Sequence, residues 1–242
     1  MYTVNVPSDA RRAKLQRALD ALQIKMGDYI ISDHTLRLEK VLAAGQNSYN
    51  FDLYQNPGAD RPLENKLNRN DVLIITEIAL AITKQDTTTS PPRYGNYPLY
   101  HFPDPGFFLG VPAAGLTEAQ CLETIYSGKL RLKTNNTDRL PNFLTNDLRY
   151  VPERTYDAND VHAQYGPEIP SRGFYSLEPH VILNGQQNNL STLEIGAGET
   201  TVIAGGIDAA AQALTTSNIV VALIKGFLIS EAAEAALRWS PY

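Results

Sequence analysis

Two stretches limit what this chain can fold into more than anything else in it. "NDVLIITEIALAITK" (70–84) and "NIVVALIKGFLI" (218–229) have strand character and are apolar on both sides. At strand period the first places Val72, Ile74, Ile78, Leu80 and Ile82 on one face with Thr76, and Leu73, Ile75, Glu77, Ala79 and Ala81 on the other. A half-buried strand alternates apolar with polar. One face of these two strands fills a core between sheets, and the other needs a cover, because a lone soluble chain rarely exposes an apolar patch above a few hundred Å². Helices of the same chain and neighbouring subunits are both expected to supply it.

The rest of the chain supports a mainly β architecture. "TLRLEKVL", "SYNFDLY", "KLRLKT", "HVILNGQQNNLSTLEI" (two strands about a polar turn) and "TTVIAGG" bring the expected number of strands to about eight or nine. A helix is predicted over 8–27, capped by Ser8 or Asp9, carrying a stripe of Leu15, Leu19, Leu22 and Met26 and ended by Gly27. A short helix over 116–128 has Thr117 and Gln120 in capping-box spacing, and another starts at Ser230. The expected organisation is an N-terminal basic arm over 1–28, a β-sandwich over 29–230 and a short helical tail over 231–242. Two long loops, 90–115 and 134–173, interrupt the sandwich. Their prolines (Pro141, Pro152, Pro167 and Pro170 in the second) bar them from a sheet interior. Loops this long are uncommon unless they bind something.

Charge separates the ends. Residues 1–27 carry five basic residues against two acidic, so the remainder of a chain with net charge −5 holds −8. Arg11, Arg12 and Lys14 sit near the helix N-terminus, where its dipole disfavours cations, and together with Arg17 they are given a candidate role against packaged nucleic acid or an acidic neighbour. The overall negative charge argues against wholesale nucleic-acid coating. In the first long loop Tyr97, Tyr100, Phe102, Phe107 and Phe108 are candidates for a subunit interface, residue types enriched at such contacts.

Motifs for chemistry are sparse. Cys121 is the sole cysteine, so no disulfide forms within one chain. His34, His101, His162 and His180 show no metal-ligand spacing, and His101 and His180 stand out by their places in the aromatic loop and at a strand start. The sequence has no nucleophile elbow, phosphate loop or dinucleotide fingerprint. "DANDVHAQYG" (157–166) gathers Asp157, Asn159, Asp160 and His162 without calcium-loop spacing. The expectation is therefore no enzyme, no cofactor and no resident metal. "MYTVNVPSD" lacks the features of a signal peptide, and no apolar run is long enough to span a bilayer.

The succession "LRLEKVLAAGQNSYNFDLY", "LNRNDVLIITEIALAI", "YPLYHFPDPGFF", "YSGKLRLKTNN" and "FYSLEPHVILNGQQNNLSTLEI", followed by "IVVALIKGFLI", resembles jelly-roll major capsid proteins of tailless bacteriophages over residues 30–229. That resemblance implies a jelly-roll-like antiparallel β-sandwich with an N-terminal helix, short accessory helices and long loops. It also implies a homo-oligomeric lattice with other virion proteins as partners, in a virion assembled from protein made in a host cytoplasm. An accessory vertex or fibre-base component and a carbohydrate-binding sandwich are the alternatives. A catalytic site assembled from distant residues is a third.

Overall fold

The structure, a computed structural model, describes residues 9–25, 27–56, 61–86, 98–109, 117–151, 154–155, 164–165, 173–196, 205–206 and 216–237. In chain order the elements are α1 (Asp9–Ala21), β1 (Ile31–Val41), β2 (Ser48–Asp52), β3 (Val72–Asp86), α2 (Glu118–Leu122) and β4 (Lys129–Thr134). There follow β5 (Thr137–Leu144), β6 (Arg154–Thr155), β7 (Gln164–Tyr165), β8 (Tyr175–Asn184), β9 (Asn189–Glu194), β10 (Gly205–Gly206), β11 (Thr216–Ile229) and α3 (Ala233–Leu237).

Two antiparallel sheets face each other. One runs β1-β11-β3-β8, with β10 beside the end of β11, and the other runs β2-β9-β4-β5. Among these eight long strands the chain changes sheet at every connection except β4–β5. This wiring is a jelly roll, and the two strands of "HVILNGQQNNLSTLEI" therefore lie in opposite sheets. Between the sheets Tyr49, Phe51, Leu36, Leu38, Leu80, Ile125, Leu183, Leu193 and Val220 pack as one apolar cluster.

The β4–β5 hairpin corrects the expectation of a loop from 134 onward. Thr134 pairs with Thr137 across a two-residue turn in which Asn135 and Asn136 have φ of 47° and 67°. Asparagine tolerates left-handed backbone, and two such residues make the turn that matches strand twist. Pro141 is accommodated because β5 ends its sheet, where one edge needs no ladder partner. Pro179 sits in β8, the last strand of the other sheet, for the same reason.

A bulge changes the faces of β3. Along β11, Lys225 pairs with Glu77 and Gly226 with Ile75, so Thr76 is an extra residue. Its insertion reverses the alternation. Leu73 and Ile75 therefore join Ile78, Leu80 and Ile82 in the inner core, while Val72, Ile74 and Ala81 face outward. The uniform two-face assignment is thus corrected at Thr76. Gly226 is required here, since a Cβ would lie 2.0 Å from the Ile74 carbonyl oxygen.

The outward face is covered by the chain itself. Leu15, Ala18 and Leu19 of α1, Leu22 just after it, and Ala233 and Ala236 of α3 pack on Val72, Ile74, Phe227 and Ile229. Farther along, Ala81, Ile219 and Val221 pack with Leu99 and Leu223. The expectation that neighbouring subunits complete this cover is corrected, because Val72, Ile74, Ala81, Val221 and Ile229 are all fully buried in one chain. α1 is shorter than its sequence pattern. Gln23 takes a φ of 53°, its N–H reaches Asp20 O (3.1 Å), and the Ile24 N–H reaches Leu19 O (3.0 Å). This Schellman turn stops the helix before Gly27. Asn184 Nδ2 donates to Ala233 O (2.8 Å), which fastens α3 to the end of β8. The α2 capping box is present as the sequence implies.

Candidate functional site

The two sides of the sandwich are finished differently. On the β1/β2 side the segment 61–69 stitches the sheets together. Arg37 and Asn65 exchange backbone hydrogen bonds (2.8 and 2.9 Å), and the Leu67 N–H donates to Leu53 O (2.7 Å). On the β5/β8 side the described residues leave a groove of about 860 Å³ between the two terminal strands, with α1 and α3 at one end.

This groove has an apolar floor and a charged rim. Leu140 and Phe143 come from β5, Tyr175, Leu177 and Val181 from β8, and Leu22 from just beyond α1. Phe143 and Tyr175 meet edge-to-face across it, centroids 4.9 Å apart. Tyr175 is 41% exposed, and Leu144, which follows Phe143 in the chain, 55%. Arg139, Glu178 and His180 also line the groove. Lys14 bonds Glu178 Oε1 (2.8 Å) and Ser176 Oγ (3.1 Å), which seats α1 beside β8. The Lys14 hydrogen bond and charge hold the Glu178 carboxyl below the usual carboxylate range. Burial, and then the Lys14 and Arg17 charges, hold His180 below the ordinary imidazole value, so it stays neutral near pH 7. Such a trough suits an apolar side chain. Both bordering strands carry a proline, which blunts further strand addition and leaves side chains to make the contacts.

The sequence-nominated basic residues divide. Lys14 bonds Glu178 and Ser176 of its own chain, Arg12 and Arg17 are exposed, and the side chain of Arg11 lies outside the described residues. The aromatic residues largely turn inward. Tyr100 and Phe107 stack 4.8 Å apart, Phe107 and Phe108 meet at 90° with centroids 5.0 Å apart, and Phe102 meets Tyr100 edge-on. Phe108 is 1% exposed, which removes it from any interface. Tyr97 lies outside the described residues. The cluster occupies the place on β3 beyond the end of β8: Tyr100 exchanges backbone bonds with Ile82 (2.8 and 2.9 Å), and Pro98 O accepts from Thr83 Oγ1 (2.9 Å). His101 donates from Nδ1 to Leu80 O (2.9 Å), the only role open to a nitrogen facing a carbonyl. Lys84 Nζ lies 5.2 Å from the Phe107 ring centroid and 3.3 Å from the buried Glu118. These contacts cap a strand edge.

Among the described residues no three His, Cys, Asp or Glu side chains converge, and no helix is long and apolar enough to cross a membrane. The 157–162 loop lies outside the described residues. His180 was the one groove residue its sequence position singled out. Phe143, Tyr175 and Arg139 gave no signal, because only the wiring brings β5 opposite β8. No family model matches the chain, and comparison with curated proteins and with solved structures finds no significant similarity.

Proposed function

We propose that this protein is a structural, self-assembling subunit of the kind from which a viral shell is built, with the β5/β8 side as a principal contact between copies. The observation that carries the reading is the eight-stranded jelly-roll wiring around an interior filled by apolar side chains. Jelly rolls recur in capsid proteins, lectins and cupins. A cupin-like centre needs space and ligands between the sheets, a volume here occupied by Tyr49, Phe51, Tyr126 and their apolar neighbours. A lectin-like site would be favoured by exposed aromatic faces on the 98–108 loop, and those rings pack on one another. The shell reading asks only for a rigid wall element with adhesive sides. The groove, with Leu144 and Tyr175 exposed beside it, is such a side.

Negative-stain electron microscopy and light scattering of the purified chain test this. Closed particles or sheets that grow with concentration are the expected result, and a monodisperse monomer at high concentration overturns the proposal.

A further inference from the structure

Where the inward rows of the two central strands run out, polar side chains replace the apolar ones. Leu80 and Ile82 of β3 point into the core, and two residues on the same face presents Lys84. Ala222 and Val220 of β11 do likewise, and the next inward position is Asn218. Lys84 and Asn218 stand directly opposite each other in the β3/β11 ladder, a relation that brings Cβ atoms within about 5.5 Å. Glu118, in the first turn of α2, reaches both side chains. Its Oε2 lies 3.3 Å from Lys84 Nζ, and its Oε1 accepts from Asn218 Nδ2 at 2.6 Å.

The cluster is closed off from water. Asn218 and Glu118 are fully buried, and the Lys84 side chain is 12% exposed. The Phe107 and Phe108 ring centroids lie 5.2 and 5.3 Å from Nζ, and Phe107 O accepts a hydrogen bond from it (3.1 Å). A buried ion pair is weak ground for stability, since two charges leave water to form it. The same geometry has a chemical use. An amine, a carboxamide and one carboxylate that touches both are the reactants and the proton carrier of amide exchange. Holding them together in a packed core replaces the encounter that makes such a reaction slow in solution.

We propose that Lys84 and Asn218 join through an amide bond within one chain, with Glu118 as the catalytic proton carrier. Lys84 Nζ passes a proton to Glu118 Oε2, and the amine so formed attacks Asn218 Cγ. Glu118 hands that proton to Nδ2, which its Oε1 already touches, and takes a second one from Nζ. The Cγ–Nδ2 bond breaks with its electron pair on nitrogen, ammonia leaves, and the Nζ–Cγ amide remains. No oxidant or cofactor enters the balance. The bond fastens the end of β3 to the start of β11, and the proposal does not rest on self-assembly.

Intact-mass spectrometry of the purified full chain, with a tryptic map, tests it. The parent should weigh one ammonia less than its sequence. Its digest should hold a branched peptide joining the segments with Lys84 and Asn218, uncut after Lys84. Lys84→Arg keeps the positive charge beside Glu118 but removes the nucleophile, and should show its full sequence mass. Glu118→Gln keeps the side-chain shape but cannot carry the proton, and should show its full mass with the far-ultraviolet spectrum of the parent. A parent that keeps its full mass after prolonged incubation, an ammonia loss that maps to other residues, or a branched peptide that persists in Glu118→Gln overturns the inference.

Discussion

Replacing Leu19 with alanine tests whether the chain alone shields its central sheet. Leu19 is fully buried on α1, against Val72, Ile74, Phe227 and Ile229. Buried Leu→Ala changes cost about 2–5 kcal/mol, more where the surroundings cannot collapse into the space. Here one wall is a sheet fixed on both sides by β1 and β8, and the helix is anchored by Lys14 to β8 and by the Ile24–Leu19 turn. Little relaxation is available, so a loss of about 3–4 kcal/mol is expected. For a chain of this size that lowers Tm by roughly 6–16 °C. Urea denaturation followed by far-ultraviolet circular dichroism gives the free energy, repeated over about a hundredfold range of protein concentration. In dilute protein, before copies associate, unfolding should already be cooperative and show this cost, since the cover comes from the same chain; association at higher concentration adds to the midpoint. A loss below about 1 kcal/mol, or a parent with no cooperative transition in dilute protein, refutes intrachain shielding.

Gly226→Ala should destabilise by about 1–3 kcal/mol or more, because the new methyl meets the β3 backbone at the Thr76 bulge; an unchanged urea midpoint contradicts that close approach. His34, His101 and His180 are each held below their ordinary range, chiefly by burial. The unfolded chain takes up protons near pH 6.5 that the fold refuses, so stability is fully present above about pH 6.5 and falls as pH is lowered through that value. Urea midpoints between about pH 7.5 and 5.5 should decline and His101→Gln should flatten part of the slope, whereas a flat parent profile excludes neutral packing of these imidazoles. Leu144→Asp together with Tyr175→Ser alters exposed side chains beside the β5/β8 groove. Light scattering should show weakened assembly while the dilute variant still unfolds cooperatively, and intact particles place the contacts elsewhere.

How much of this was legible from the sequence depends on the range of each interaction. The α2 capping box needs three residues of context, and Thr117 with Gln120 announced it. The stripe of Leu15, Leu19 and Leu22 gave the buried side of α1, but not its end, which turns on the left-handed conformation of Gln23. The two-sided character of β3 and β11 was plain, and so was the need for a cover. The N-terminal and C-terminal helices were legible as covering elements, but not that they would leave no share of this face to a neighbour. The reversal at Thr76 is invisible in β3 alone, because a bulge is a property of two strands. Pro141 drew attention away from β5, although the Asn135–Asn136 pair marks a tight hairpin. Glu39 read as the polar face of an ordinary strand; it is buried by a segment some 25 residues later in the chain. The groove residues Phe143 and Tyr175 meet only through the jelly-roll wiring.

Hydrogen–deuterium exchange on dilute and concentrated protein tests the central claim most directly. Residues 72–82 and 219–229 should already be protected in the dilute sample, with protection on concentration gained at 137–144 and 175–187. Fast exchange of the central strands in dilute protein that slows only on assembly, with no change at the β5/β8 side, would contradict the account.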